Sequence, residues 1–213
     1  FISRTIVSTD GEDIAQVARE AGAEVPFMRP AAFAQDDSPD IDVFRHALEF
    51  LSETEGTLPD IIVHLRPTGP IRRVKIIDQA VEMMIADDNA DSLRSVSLAT
   101  ESPFKMWLMD GPYMKPLLTL PDRPDAHSTA RQYLPKVYWQ NGYLDITRPK
   151  TVMQKNSMVG DKLLSLVIDE PKYEIDYPED VMAVEEALRV WREQGKFPHE
   201  ISPLVREGER SPA

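Results

Sequence analysis

The chain has no cysteine, which excludes a disulfide framework and any thiolate metal site and suits a reducing compartment such as the cytoplasm. It has no apolar run of the roughly 20 residues a membrane helix needs, and no signal peptide. Cations are in the minority, with 24 Lys and Arg against 36 Asp and Glu, a net charge of −12. That balance argues against nucleic acid or an anionic membrane as partner, because such surfaces are held by clustered positive charge that displaces counterions. An initiating methionine is also absent, and the sequence reads as missing its beginning. What is present is ordinary for a folded protein: 42% hydrophobic and 28% charged residues over 213 positions, enough for one α/β domain with a good core.

Along the chain, apolar strands alternate with turn residues and amphipathic helices. This rhythm predicts an α/β fold with a mostly parallel sheet and helices on its faces. A first strand is expected at Thr5–Ser8, followed by Thr9-Asp10-Gly11-Glu12 as a capping box for a helix ending at Gly22. Ser38 and Pro39 read as the start of a second helix, with Ile41, Phe44, Leu48 and Leu51 at helical spacing. Ile61–Leu65 reads as a buried strand closed by Pro67, Gly69 and Pro70, and Val74, Ile77, Val81 and Ile85 mark a third helix. Further strands are expected near Ser95–Leu98, Tyr143–Ile146 and Leu164–Ile168, and a closing helix runs through Val181, Val184, Leu188 and Trp191. The expected domain covers 1–195, with 196–213 as a tail.

Two stretches depart from that rhythm. Between Ser102 and Pro135 the chain is rich in proline, methionine and aromatics, and residues such as Trp107, Met109, Tyr113 and Met114 are too apolar to stay exposed, so they either cover the core or form a subunit contact. Near the end, YEIDYPED (Tyr173–Asp180) places Glu174 and Asp176 two apart on an expected strand before a helix, which turns both carboxylates to one face. Magnesium takes one or two such oxygens and leaves its other positions to water and phosphates. The alternative is that Asp176 caps the helix with Glu179 as its partner.

Four segments, IVSTDGEDIAQVAREAGAEVPFMRPAAFAQDD, RPTGPIR, RQYLPKVYWQNGYLDI and YEIDYPED, together resemble the acylneuraminate cytidylyltransferases, the CMP-sialic acid synthetases, in family order. PFKMW with Lys105 is similar to the bacterial legionaminic-acid and spore-coat polysaccharide branch. The resemblance implies a Rossmann-like three-layer nucleotidyltransferase domain, usually dimeric, in which residues 102–135 would be the protruding dimerisation segment. It implies CTP and a nonulosonic sugar acid as substrates and Mg2+ as cofactor. Residue by residue, it makes Glu174 and Asp176 the metal site, although the family usually has aspartate at both. Arg29 matches the arginine on the cytosine or ribose side of CTP, and Ser38 and Asp40 match residues approaching the nucleotide. Arg66 stands where glutamine is common, and its guanidinium suits a phosphate or sugar carboxylate. Arg131, Lys105, Asn141 and Asp145 fall on the sugar side, Asp145 replacing a sugar-facing tyrosine. Asp176 and Arg131 are the expected catalytic residues.

The family's opening strand and its A-R-x-G-S-K triphosphate loop have no counterpart after Phe1, so the chain by itself is expected to be incomplete and to turn over little. A non-catalytic dimeric scaffold, or a nucleotidyltransferase for another base or a 3-deoxy sugar acid, is the competing reading.

Overall fold

A computed structural model describes residues 1–169 and 173–195; the expected tail at 196–213 lies outside them. The elements are α1 (Glu12–Glu20), α2 (Asp40–Glu55), β1 (Ile62–His64), α3 (Val74–Ala86), β2 (Ser92–Leu98), β3 (Trp107–Asp110), β4 (Tyr113–Pro116), β5 (Tyr138–Thr147), α4 (Pro149–Met153), β6 (Leu163–Val167) and α5 (Pro178–Glu193). Short 3-10 turns fill the connections.

The main sheet has the order β1-β5-β2-β6. β2 and β6 are parallel, and β5 runs antiparallel to both of its neighbours, β1 and β2. Three strands therefore share one direction, as the βα rhythm predicts, while the reversed β5 between two of them makes two of the three pairings antiparallel. The reversal follows from the excursion: β2 leads into the 99–137 segment, which returns the chain beside β2 without a crossover helix.

Side chains alternate across this sheet. On one face Leu93, Leu144, Ile146, Leu166 and Ile168 pack against Ala80, Val81 and Met84 of α3, forming the main core. Fully burying each large aliphatic contributes about 1.5–3 kcal/mol, offset by the entropy of ordering the chain. The other face lies under α2, where the Phe44 ring meets the His64 ring edge-on at 4.9 Å and α4 packs alongside. Helices on both faces give the three layers.

Several local expectations change. Thr5–Ser8 forms only an isolated parallel bridge, Ile6 with Glu24. α1 begins without a capping box: its N-cap is Gly11, which donates its N–H to Thr9 Oγ1 at 3.2 Å. Ser38 does not cap α2; its hydroxyl accepts the Gln35 N–H at 2.9 Å, and Pro39 is the N-cap. Asn141 and Gly142, residue types that fit a turn before the strand, lie inside β5 instead. Register slips there, between Arg94 and Val96 on β2. Gly142 takes a φ of 67°, a conformation costly for other residues. The groups freed by the slip are satisfied by side chains: Ser95 Oγ accepts the Leu144 N–H at 2.9 Å, and Asn141 Oδ1 accepts the Tyr143 N–H at 3.0 Å.

At the opposite end of β2, Asp91 ties the loop before β6 to the sheet. Its buried carboxylate accepts from Lys155 Nζ at 2.7 Å and from the N–H groups of Asp161 and Lys162 at 2.8 and 3.1 Å. These bonds, Lys155 first, hold it far below the usual carboxylate range. Gly160 is required beside it, since its φ is 70° and an added Cβ would lie 2.5 Å from Asp91 Cβ.

Candidate active site

The loop after β1 is stiffened from within. Arg72 donates Nη2 to the Arg66 carbonyl at 2.6 Å, Nε to the Tyr143 carbonyl at 2.6 Å, and Nη1 to the Gly69 carbonyl. Burial is the largest influence on this guanidinium and pushes its pKa down, partly countered by Tyr143 and Glu174. RPTGPIR thus uses Arg72 as a brace and leaves Arg66 at its mouth.

Residues 173–177 are not a strand. They form no ladder and bend at Asp176–Tyr177, and are joined to that loop by the Ile175 N–H donating to the Thr68 carbonyl at 2.7 Å. This bond ties the backbone between Glu174 and Asp176 to the loop after β1. Nor does Asp176 cap α5: Asp180 Oδ2 accepts the N–H groups of both Asp176 and Tyr177, at 2.9 and 2.8 Å. The exposed Asp176 carboxylate is therefore left outside the helix cap. Among the described residues no group of three or more His, Cys, Asp or Glu side chains could hold a metal by itself. Two hard carboxylates nevertheless suit magnesium, which completes its shell with water and phosphate oxygens.

Arg66 Nη2 donates to Asp40 Oδ2 at 2.8 Å and lies 3.8 Å from Asp145 Oδ2. Asp145 also pairs with Arg94. Asp40, Arg66 and Asp145, distant in sequence, thus meet on the α2 face of the sheet. His64 lies level with Asp145 in the β1–β5 register. Desolvation first and Arg66 second lower the pKa of its half-buried ring.

The remaining candidates lie elsewhere. Arg29 folds back on Ser8, donating Nε to its hydroxyl at 3.1 Å and Nη2 to its carbonyl. Arg131 donates to the carbonyls of Ala99 (3.2 Å) and Thr100 at the end of β2. It lines a cavity of about 400 Å³ with Ser102, Gln132 and Lys136. Lys105 stands on a 3-10 turn and reaches the His127 carbonyl at 3.1 Å. Asn141 is buried, with its amide committed to Ser95, Ser97 and Tyr143 inside the sheet.

Sequence reasoning missed Arg94 and Ser102. A charge inside the otherwise uncharged SLRSVSL was the available sign for Arg94. Ser102 gave none, although its hydroxyl is buried without a hydrogen-bond partner.

No family model matches the chain. It is 28% identical over 194 residues to post-translational flagellin modification protein B of Campylobacter coli, covering 90% of this chain and 79% of that protein. It is 27% identical over 194 residues to CMP-N,N'-diacetyllegionaminic acid synthase of Legionella pneumophila, covering 88% and 79%. The structure of CMP:2-keto-3-deoxy-manno-octonic acid synthetase complexed with CTP superposes with a TM-score of 0.56 at 13% identity, covering 91% and 82%, a likeness of fold. The order of the four motifs, the three-layer architecture and these likenesses agree: the chain is similar in sequence to the sialic-acid-like cytidylyltransferases and shares the nucleotidyltransferase fold.

Proposed function

We propose that this protein transfers CMP from CTP to the anomeric hydroxyl of a nonulosonic sugar acid and releases pyrophosphate. The observation that supports this reading is the Ile175 N–H to Thr68 carbonyl hydrogen bond, which ties the backbone between Glu174 and Asp176 to the loop that follows Arg66. Open α/β sheets bind ligands at such ends. A nucleoside triphosphate meeting a sugar acid calls for both signs of charge in one place.

In the reaction the anomeric oxygen forms a bond to the α-phosphorus as the bond to the pyrophosphate oxygen breaks, and the hydroxyl proton is lost. The protein's part is to align the attacking oxygen and hold the anions. Arg66 offers a planar fork to a phosphate or carboxylate. Arg29, held beside the turn before α1, is the candidate for the cytosine or ribose side, with Ser38 and Asp40 near the nucleotide. Arg131 and Lys105 are the candidates for the sugar acid. Magnesium, when bound, supplies charge neutralisation at the triphosphate, and Glu174 and Asp176 would hold it.

The β3–β4 hairpin is the surface we assign to a second copy of the chain. Met109 and Tyr113 are 73% and 77% exposed, and Trp107, Leu108, Met114, Leu117 and Leu118 join them. A monomer rarely leaves so many apolar side chains together in water.

Calorimetric titration of the full-length protein with nucleotides in magnesium tests the assignment. CTP is expected to bind at least about tenfold more tightly than GTP, a difference of about 1.4 kcal/mol. Equal affinity for the two bases would count against it.

A further inference from the structure

Arg94 and Asp145 face each other directly across the β2–β5 pairing, and on the other side of Asp145 stands His64 of β1. Arg66, two residues beyond His64, brings its guanidinium back over the same face. The result is a line of alternating charge running outward: Arg94 and Asp145 with side chains 14% and 5% exposed, then Arg66 and Asp40 at 35% and 46%. The inner pair is in direct contact, the outer pair is at 2.8 Å, and the link between them, Arg66 to Asp145, is stretched to 3.8 Å.

A role in stability alone accounts poorly for this line. Asp145 Oδ1 is buried with no hydrogen-bond partner, and a buried ion pair is often no more stabilising than apolar side chains of the same volume. The arrangement instead settles a competition. A buried carboxylate draws in whichever cation can reach it, and Arg94 already occupies Asp145. Arg66 is therefore left to lean outward on the half-exposed Asp40, with its side chain 35% exposed.

Resting on the function proposed above, we propose that Arg94 is a positioning residue: by neutralising Asp145 it keeps Arg66 turned outward to receive the anionic group of a substrate. That anion is a phosphate of CTP or the carboxylate of the sugar acid.

The test compares Arg94→Met with the double variant Arg94→Met/Asp145→Asn in the full-length protein, using CTP and N,N'-diacetyllegionaminic acid. Arg94→Met leaves Asp145 unpaired and draws Arg66 inward. It should raise KM about tenfold for the substrate whose anion Arg66 holds, with kcat changed less than about twofold. A shift confined to KM for CTP identifies the phosphate, and one confined to the sugar acid identifies its carboxylate. The double variant removes the attraction, and KM should return to within about threefold of the parent, because Asp145, enclosed between Arg94 and Arg66 with its side chain 5% exposed, does not face a sugar as the resemblance implies and offers a substrate no contact. A merely structural Arg94 would leave both KM values alone, or leave the double variant as impaired as the single one; either result overturns the proposal. Crystal structures of the two variants decide it without turnover. Arg66 should contact Asp145 directly in Arg94→Met and Asp40 in the double variant, and an Arg66 that stays on Asp40 in Arg94→Met refutes the idea. Absence of turnover by the parent protein would instead count against the proposed reaction.

Discussion

His64 is the residue where burial and charge act most plainly together. Its ring is enclosed between α2 and the sheet, and desolvation, with Arg66 second, lowers its pKa in the folded protein. The unfolded chain takes up this proton near pH 6.5, and the folded protein does so only at lower pH. Between those values the unfolded state binds more protons. The contribution to stability is thus complete above about pH 6.5 and is lost as pH falls through the folded pKa. The urea midpoint of the parent protein should therefore drop between pH 7.5 and 5.5, and His64→Gln should drop less; equal slopes for the two would disprove the assignment. Arg94 belongs to the same neighbourhood, yet a lone arginine in an uncharged strand has many explanations until its opposite neighbour is known. Register, set by pairing across 51 residues of chain from Arg94 to Asp145, is what turned it into half of a buried pair.

At the scale of elements, α2, α3 and α5 were legible because each carries apolar residues at helical spacing, and the loop after β1 because proline and glycine punctuate it. The direction of β5 was not, since alternation of apolar and polar residues is the same whichever way a strand runs. Asn141-Gly142 read as a turn for an equally physical reason: both residues accept a positive φ, and a bulge within a strand needs that as much as a turn does. The 173–177 segment looked like a strand because its apolar and acidic residues alternate, but its backbone bonds go to a loop carbonyl, Thr68, and to Asp180 of α5 rather than to a ladder. The β3–β4 hairpin was recognisable as out of rhythm, and its two-residue turn at Gly111, with φ 61°, closes it as a small sheet of its own. Its exposed apolar residues carry the dimer assignment. Met109→Glu combined with Tyr113→Glu should convert a dimer to a monomer in sedimentation velocity; a parent protein that sediments as a monomer at micromolar concentration would end that assignment.

Over the whole molecule, strand ends and loops gather the candidate residues into separate groups: Asp40, Arg66, Asp145 and the 174–176 carboxylates around the end of β1, and Arg131 with Lys105 at the base of the hairpin. Motif order made the members nameable in advance, whereas their grouping required the sheet order β1-β5-β2-β6, which brings β5 between strands that precede it in the chain. The proposed reaction of CTP with a sugar acid uses both groups. The most direct measurement is formation of the CMP-sugar by the full-length protein from CTP and N,N'-diacetyllegionaminic acid in magnesium, followed by mass spectrometry alongside pyrophosphate release, for the parent and for Asp176→Asn. CMP-sugar and pyrophosphate are expected in equal amounts from the parent, with a loss of rate of at least about a hundredfold in Asp176→Asn, on the order of 2.7 kcal/mol of transition-state stabilisation. An Asp176→Asn protein as fast as the parent, or a parent that consumes no CTP with any sugar acid of this class, would contradict this expectation.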